Sequence, residues 1–334
     1  MNKLTTALLV CLTTTMAIAQ PTKGLHIINT FYIASSGGWD YLTPGPVNDW
    51  LYVSHGTQVN ILNKKTGDSV GVIEHTTGIH GIAFDVSQNK GFTSNGRLNT
   101  VTVFDMNTNG VIASVAVGQN PDAIMYEPFS KKIITCNGRS SNLSIIDPEL
   151  NQLIDSVAVG GKPETAVSDE TGKLFVNIED KNEIVVVDTK TFKVLDRWSI
   201  SPGEEPTGLS FDRETKRLFA GCDKLLMVID ATNGKVVEKI PIGEGCDGTA
   251  FDPATKNIYT SNGEGTLTVI HEDNADKFSV VENVVTKRGA RTITLDTAAH
   301  LVYLPTADFE PMAPGEKGRP KMKPGSFQVL VLGN

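Results

Sequence analysis

One phrase of about forty residues recurs seven times along the chain, and a period of that length constrains the fold more than any other feature of the sequence. Each copy has four parts. A small or polar residue opens an alternating run that often ends in Phe-Asp. A Lys or Asn then precedes an aromatic-aliphatic run ending in Ser-Asn or a similar pair, and two Val/Ile runs follow, the first ending in Asp and the second near Gly. In the third copy the parts are residues 122–126, 132–137, 143–147 and 154–159. The equivalent opening positions are Asp40, His80, Asp122, Glu164, Thr207, Asp247 and Arg291, spaced 40, 42, 42, 43, 40 and 44 residues apart. Helical periodicity is absent and the runs are rich in β-branched residues, so each part reads as a strand. Seven copies of four short strands predict an all-β fold, a seven-bladed β-propeller with four-stranded blades.

The two ends of the chain explain each other. The last copy supplies a third strand at residues 327–332 and no fourth, whereas residues 25–33 resemble a fourth strand and precede the first full copy. The N-terminal segment is therefore expected to complete blade seven. Such closure joins the ring by strand pairing and leaves only short, protected edges.

Residues 1–19 carry Lys3, an apolar stretch at 7–10 and the triplet Ala17-Ile18-Ala19, the order of a cleavable secretory signal. Thr5, Thr6 and the threonines at 13–15 cut the apolar stretch well short of the roughly 20 residues that a membrane span needs. The expectation is one propeller domain over residues 20–334, periplasmic or secreted, acting as a monomer. Cleavage would remove one Lys and no acid, leaving 29 basic against 38 acidic residues. That balance argues against a nucleic-acid partner, because phosphates are held by clustered Lys and Arg. Three cysteines remain, Cys136, Cys222 and Cys246, too few for disulfides to support the fold. Cys222 closes a second strand and Cys246 opens the next blade on the same face, so export predicts a Cys222–Cys246 bridge.

Carboxylates are abundant, but most sit where strands end. Asp105, Asp147, Asp188 and Asp230 close third strands, and Asp85, Asp212, Asp252 and Asp296 close first strands. All eight read as turn formers that accept from nearby backbone amides.

Phe175-Val176-Asn177, Tyr259-Thr260-Ser261-Asn262 and Phe92-Thr93-Ser94-Asn95, each followed by a strand of V-x-V-D type, resemble degenerate YVTN repeats. The chain is similar to the YncE-like, YVTN-repeat group of exported propellers over residues 25–332. The resemblance implies an extracytoplasmic seven-bladed propeller. Binding of single-stranded nucleic acid, known for one branch of that group, transfers poorly to so acidic a chain.

In a propeller the first strand of each blade lines the channel, and residues opening first strands or closing second strands converge on one mouth. The first-strand ring offers Asp40, His80, Asp122, Glu164, Thr207, Asp247 and Arg291. The second-strand ends add His55, Asn95, Asn137 and Asn262, with Arg97, Arg139, Glu179 and Asp223 just beyond. An anion would favour Arg97, Arg139 and Arg291. A divalent metal ion would favour His80 with Asp40, Asp122, Glu164 or Asp247. Two Asn-Gly-Arg triplets, 95–97 and 137–139, put Arg at the same place in adjacent blades, which suggests a shared ligand. A Pro-rich insertion at 306–325 carries Lys317, Arg319, Lys321 and Lys323 and is expected on the same face as a lid or partner-contact loop. No serine-hydrolase, zinc-protease or phosphate-loop motif is present. The leading reading is a propeller that binds a small polar or anionic ligand, or a protein partner, at the channel mouth. The alternative is a metal-assisted hydrolase or lyase in which Glu164 or Glu179 acts as base.

Overall fold

Each repeat folds into one antiparallel sheet of four strands, and seven such sheets stand around a central channel. The computed structural model describes residues 24–311 and 320–334; the secretory signal expected at residues 1–19 lies outside the described residues, as do Lys317 and Arg319. The innermost strands, one per blade, are Trp39–Pro44, Ile79–Asp85, Pro121–Glu127, Pro163–Ser168, Gly208–Asp212, Cys246–Asp252 and Thr294–Asp296. Blade three shows the common pattern, with Pro121–Glu127, Lys132–Asn137, Asn142–Asp147 and Gln152–Ala158 paired in sequence order. Among the described residues the only helical turns are two short 3-10 segments, Val86–Gln88 and Glu179–Lys181.

The blades meet through side chains rather than around one central core. Alternation along each strand sends successive residues to opposite faces, so every sheet packs on both neighbours. Seven buried apolar clusters result, one at each blade interface. In blade three, Ile134, Cys136 and Ile145 face blade four, whereas Ile133 and Ile146 face blade two.

Blade seven closes as expected. His26–Tyr32 pairs antiparallel with Gln328–Gly333, which pairs in turn with Leu301–Thr306. Phe31 is 3% exposed and packs with Val329 and Tyr303 of its own blade and Leu62 of blade one.

The aspartates at strand ends are the turn formers that their spacing predicted. Asp105 Oδ1 accepts from the amides of Asn107 (2.9 Å) and Thr108 (2.8 Å). Asp147, Asp188 and Asp230 accept from amides two or three residues ahead in the same way. So do Asp85, Asp212, Asp252 and Asp296. Hydrogen bonds from the Thr108 and Thr191 amides favour the charged forms and hold the Asp105 and Asp188 carboxyls below their ordinary range.

Three residues expected at the ligand site are instead part of the blades. Asn95, Asn137 and Asn262 are fully buried, and each points into its own sheet. The amide of Asn137 donates to Asn142 Oδ1 (3.0 Å) and Ser144 Oγ (2.9 Å) while its oxygen accepts from Thr135 Oγ1 (2.9 Å). Asn95 repeats this knot with Thr93, Thr100 and Thr102, and Asn262 donates to Thr266 and Thr268. Satisfying a buried amide in this way ties the second strand to the third in blades two, three and six. His55 is turned inward as well. Its Nδ1 meets Ser35 Oγ (2.7 Å), its Nε2 meets the Gly37 carbonyl (3.0 Å), and its ring lies 4.0 Å from that of Phe327.

Cys222 and Cys246 form no bridge. Both are buried thiols, and each points to a backbone carbonyl, Cys222 to Ala220 (3.7 Å) and Cys246 to Gly248 (3.6 Å). Burial pushes both up to about 12, so neither is a ready thiolate.

Candidate functional site

Hydroxyl and amide groups of one blade clamp the backbone at the channel end of the next. Ser94 Oγ donates to the Asp122 carbonyl, Thr292 Oγ1 to that of Asp40 (2.7 Å), Ser261 Oγ to that of Arg291 and Thr207 Oγ1 to that of Cys246 (2.8 Å). Asn177 Nδ2 does the same for Gly208 (2.9 Å). Ser54 adds a bond within blade one, accepting from the Asp40 amide (2.9 Å). These clamps fix the backbone on which the ring side chains are mounted, which is what a preformed site requires.

The ring side chains line a cavity of about 520 Å3 at the channel mouth. Seven carboxylates border it: Asp40, Asp122, Glu164, Glu179, Glu205, Asp223 and Asp247. Against them stand Lys162, Arg291 and the titratable His80. The mouth is therefore an acidic cup, and its field favours cations.

Three of the five residues expected as metal ligands come together. One ligand atom each from Asp40, His80 and Asp122 lies within 4.8 Å of the other two. His80 Nδ1 is 2.5 Å from Asp40 Oδ2 and 3.5 Å from Asp122 Oδ1. The opposite edge of the imidazole is held by Gly96, where an added Cβ would fall 2.6 Å from His80 Nε2. Burial opposes charge on this ring, but the hydrogen bond to Asp40 and the charges of Asp122 and Asp40 outweigh it and raise the imidazole pKa. Burial, with the Asp40 charge beside it, pushes the Asp122 carboxyl up to about 6.

The other two expected ligands carry their own cations. Asp247 is paired with the Arg291 guanidinium, which also lies 4.0 Å from Asp40. Glu164 is 2.5 Å from Lys162 Nζ, and the same ammonium binds Glu179. Burial and the Asp122 charge raise the Glu164 carboxyl above its ordinary range, against the opposing pull of Lys162. Both carboxyl groups expected as general bases thus share one lysine.

The repeated arginines do not join the ring. Arg97 and Arg139 are exposed on their loops and do not border the cup. In the Asn95-Gly96-Arg97 triplet the Asn faces the sheet, the Gly makes room for His80, and the Arg stem lies over Gly78. The repetition reflects strand-end packing and a tight loop. Arg291 alone of the three expected arginines lines the cavity.

Three lining residues escaped the repeat-based reading. Lys162 and Glu205 stand two residues before their ring positions, where blades one, two, six and seven have Gly38, Gly78, Gly245 and Gly289. A charged side chain at a position otherwise given mostly to glycine is the signal that would have found them. Tyr41 stands one residue after the ring position, where its counterparts are Gly81, Ala123, Thr165, Gly208, Gly248 and Thr292. As the one large residue at that level it forms the floor of the cup and also borders a mainly apolar cavity of about 140 Å3 deeper in the channel. Burial and the charges of Asp122, Asp40 and Glu164 raise its phenol well above the ordinary value.

Among solved structures, a chain of Kuenenia stuttgartiensis hydrazine synthase is similar, with a TM-score of 0.71 and 16% identity over 80% of this chain and 92% of that one. At that identity the likeness is one of fold. No family model matches the sequence. No curated protein matches it either.

Proposed function

We propose that this chain is an exported ligand-binding propeller of the YncE-like type whose channel mouth takes a divalent metal ion at Asp40, His80 and Asp122. The observation that carries the reading is the convergence of three ligand atoms from three consecutive blades within 4.8 Å, inside a cup bordered by seven carboxylates. Two carboxylates and one imidazole suit Zn2+, or Mn2+ where it accepts one nitrogen donor, better than Ca2+, which prefers an all-oxygen set. Anionic ligands are disfavoured here by the same charges, which turns the expected anion site into a cation site.

Export rests on the sequence of residues 1–19, and among the described residues no helix is long and apolar enough to cross a membrane. The hydrolase or lyase reading has less support, because Lys162 occupies both of its candidate bases.

Calorimetric titration with Zn2+ and with Mn2+ tests the site. One equivalent is expected to bind, and His80→Gln is expected to weaken binding by about tenfold or more, the factor that about 1.4 kcal/mol represents. Unchanged affinity in that variant would refute the assignment.

A further inference from the structure

We propose that a second cavity, at the seam of blades seven and one, binds a planar apolar molecule carrying a carboxylate or another single negative charge. It has a volume of about 350 Å3 and lies beside the acidic cup, with Arg291 bordering both.

Its walls are aromatic and held in place. The Trp39 indole stacks on Phe327, with ring centroids 5.4 Å apart and an interplanar angle of 23°, and meets Phe309 at 6.1 Å. Phe309 is fixed in turn by an antiparallel bridge to Met322. Trp39 Nε1 itself is buried, so the indole offers the cavity its apolar surface. Glycines 38, 263 and 289 border the cavity without side chains, and at Gly289 an added Cβ would come within 3.0 Å of the Phe309 ring. A flat molecule can therefore lie against Trp39 and Phe309 and approach the backbone, the arrangement in which aromatic rings contribute most.

The charge is opposite to that of the cup. Arg288 borders this cavity, is exposed, and pairs with no carboxylate among the described residues. Nearby, Lys287 is matched by Asp308 (2.7 Å) and Lys321 by Glu310 (3.6 Å), so among the described residues Arg288 has no counter-charge in its corner. Arg291, bound to Asp247, screens the cavity from the acidic wall next to it. In a chain with a net charge of -8 this is a positive corner with aromatic walls, and a guanidinium in that setting recognises a planar oxyanion through two parallel hydrogen bonds.

Calorimetry with three probes of one shape, 1-naphthoate, 1-naphthylmethanol and 1-naphthylmethylammonium, tests the proposal on the whole protein. Naphthoate is expected to bind at least about tenfold more tightly than the alcohol, and the ammonium compound is expected to bind no better than the alcohol in this cavity. Arg288→Gln should bring naphthoate to within about threefold of the alcohol, and Phe309→Ala should weaken both together by about tenfold. Zn2+ affinity measured on the same Arg288→Gln sample should be unchanged, which separates this cavity from the metal site. Equal binding of acid and alcohol, an unchanged preference in Arg288→Gln, or no binding of any probe at millimolar concentration would overturn the assignment.

Discussion

Glu272 illustrates how a propeller interior treats a carboxylate that its turns do not need. Glu272 is 3% exposed, accepts from Thr215 Oγ1 (2.7 Å), and has a second oxygen without a partner among the described residues. Burial, with Asp212 adjacent, pushes it up to about 7. The folded protein thus holds this proton more tightly than the unfolded chain, whose glutamate titrates near 4.3. The sign follows. Its contribution to stability is complete below the unfolded value and is lost as pH rises through about 7. Glu272→Gln keeps the protonated shape at every pH. Urea unfolding at pH 5 and pH 8 should show the wild type losing about 1–3 kcal/mol more than the variant over that interval. An identical loss in both would show that Glu272 is charged when folded. At this scale the sequence revealed residues whose partners are local. The strand-end aspartates could be read because their amides lie two or three residues ahead. The asparagines could not, because the partners of Asn95 and Asn137 lie on the next strand, and a buried knot and an exposed ligand contact look alike in one dimension.

Strands were legible wherever β-branched alternation marked them, and so was the pairing that closes the ring. Less visible was where each side chain of a loop would turn. His80 needs the bare edge that Gly96 offers, and the arginine next to that glycine is carried outward. Closure depends on His26–Tyr32 seating Phe31 against the seam, where Gly67, at φ +79°, approaches so closely that an added Cβ would fall 2.3 Å from the ring. Without this strand the edge of Gln328–Gly333 would lie open to pairing with another chain. Phe31→Ala removes the aromatic ring and leaves a cavity where the closing strand of blade seven packs on blade one. It should cost about 3–5 kcal/mol in denaturant unfolding, with the metal affinity at the mouth retained in the folded fraction. A loss below about 1 kcal/mol would mean that the ring closes without this contact.

On the scale of the molecule, sevenfold repetition does two things at once. It builds seven similar interfaces, each with its own apolar cluster, and it brings one variable position per blade to a common rim. The repeat does not dictate the residues of that rim, which is why the proposed site is placed there. The ring was foreseeable from spacing alone, while its division into an Asp40–His80–Asp122 cluster and two lysine- or arginine-bound carboxylates needed three-dimensional neighbours such as Lys162. The outcome is an acidic cup with Tyr41 at its base, beside a cleft bordered by Arg288 and Arg291. Diffraction from crystals grown with Zn2+, recorded at the zinc edge, tests this account most directly. It predicts one anomalous peak at roughly 2.0–2.2 Å from His80 Nδ1 and from a carboxylate oxygen of each of Asp40 and Asp122. No peak there, or a peak held by Glu164 and Glu179 instead, would contradict it.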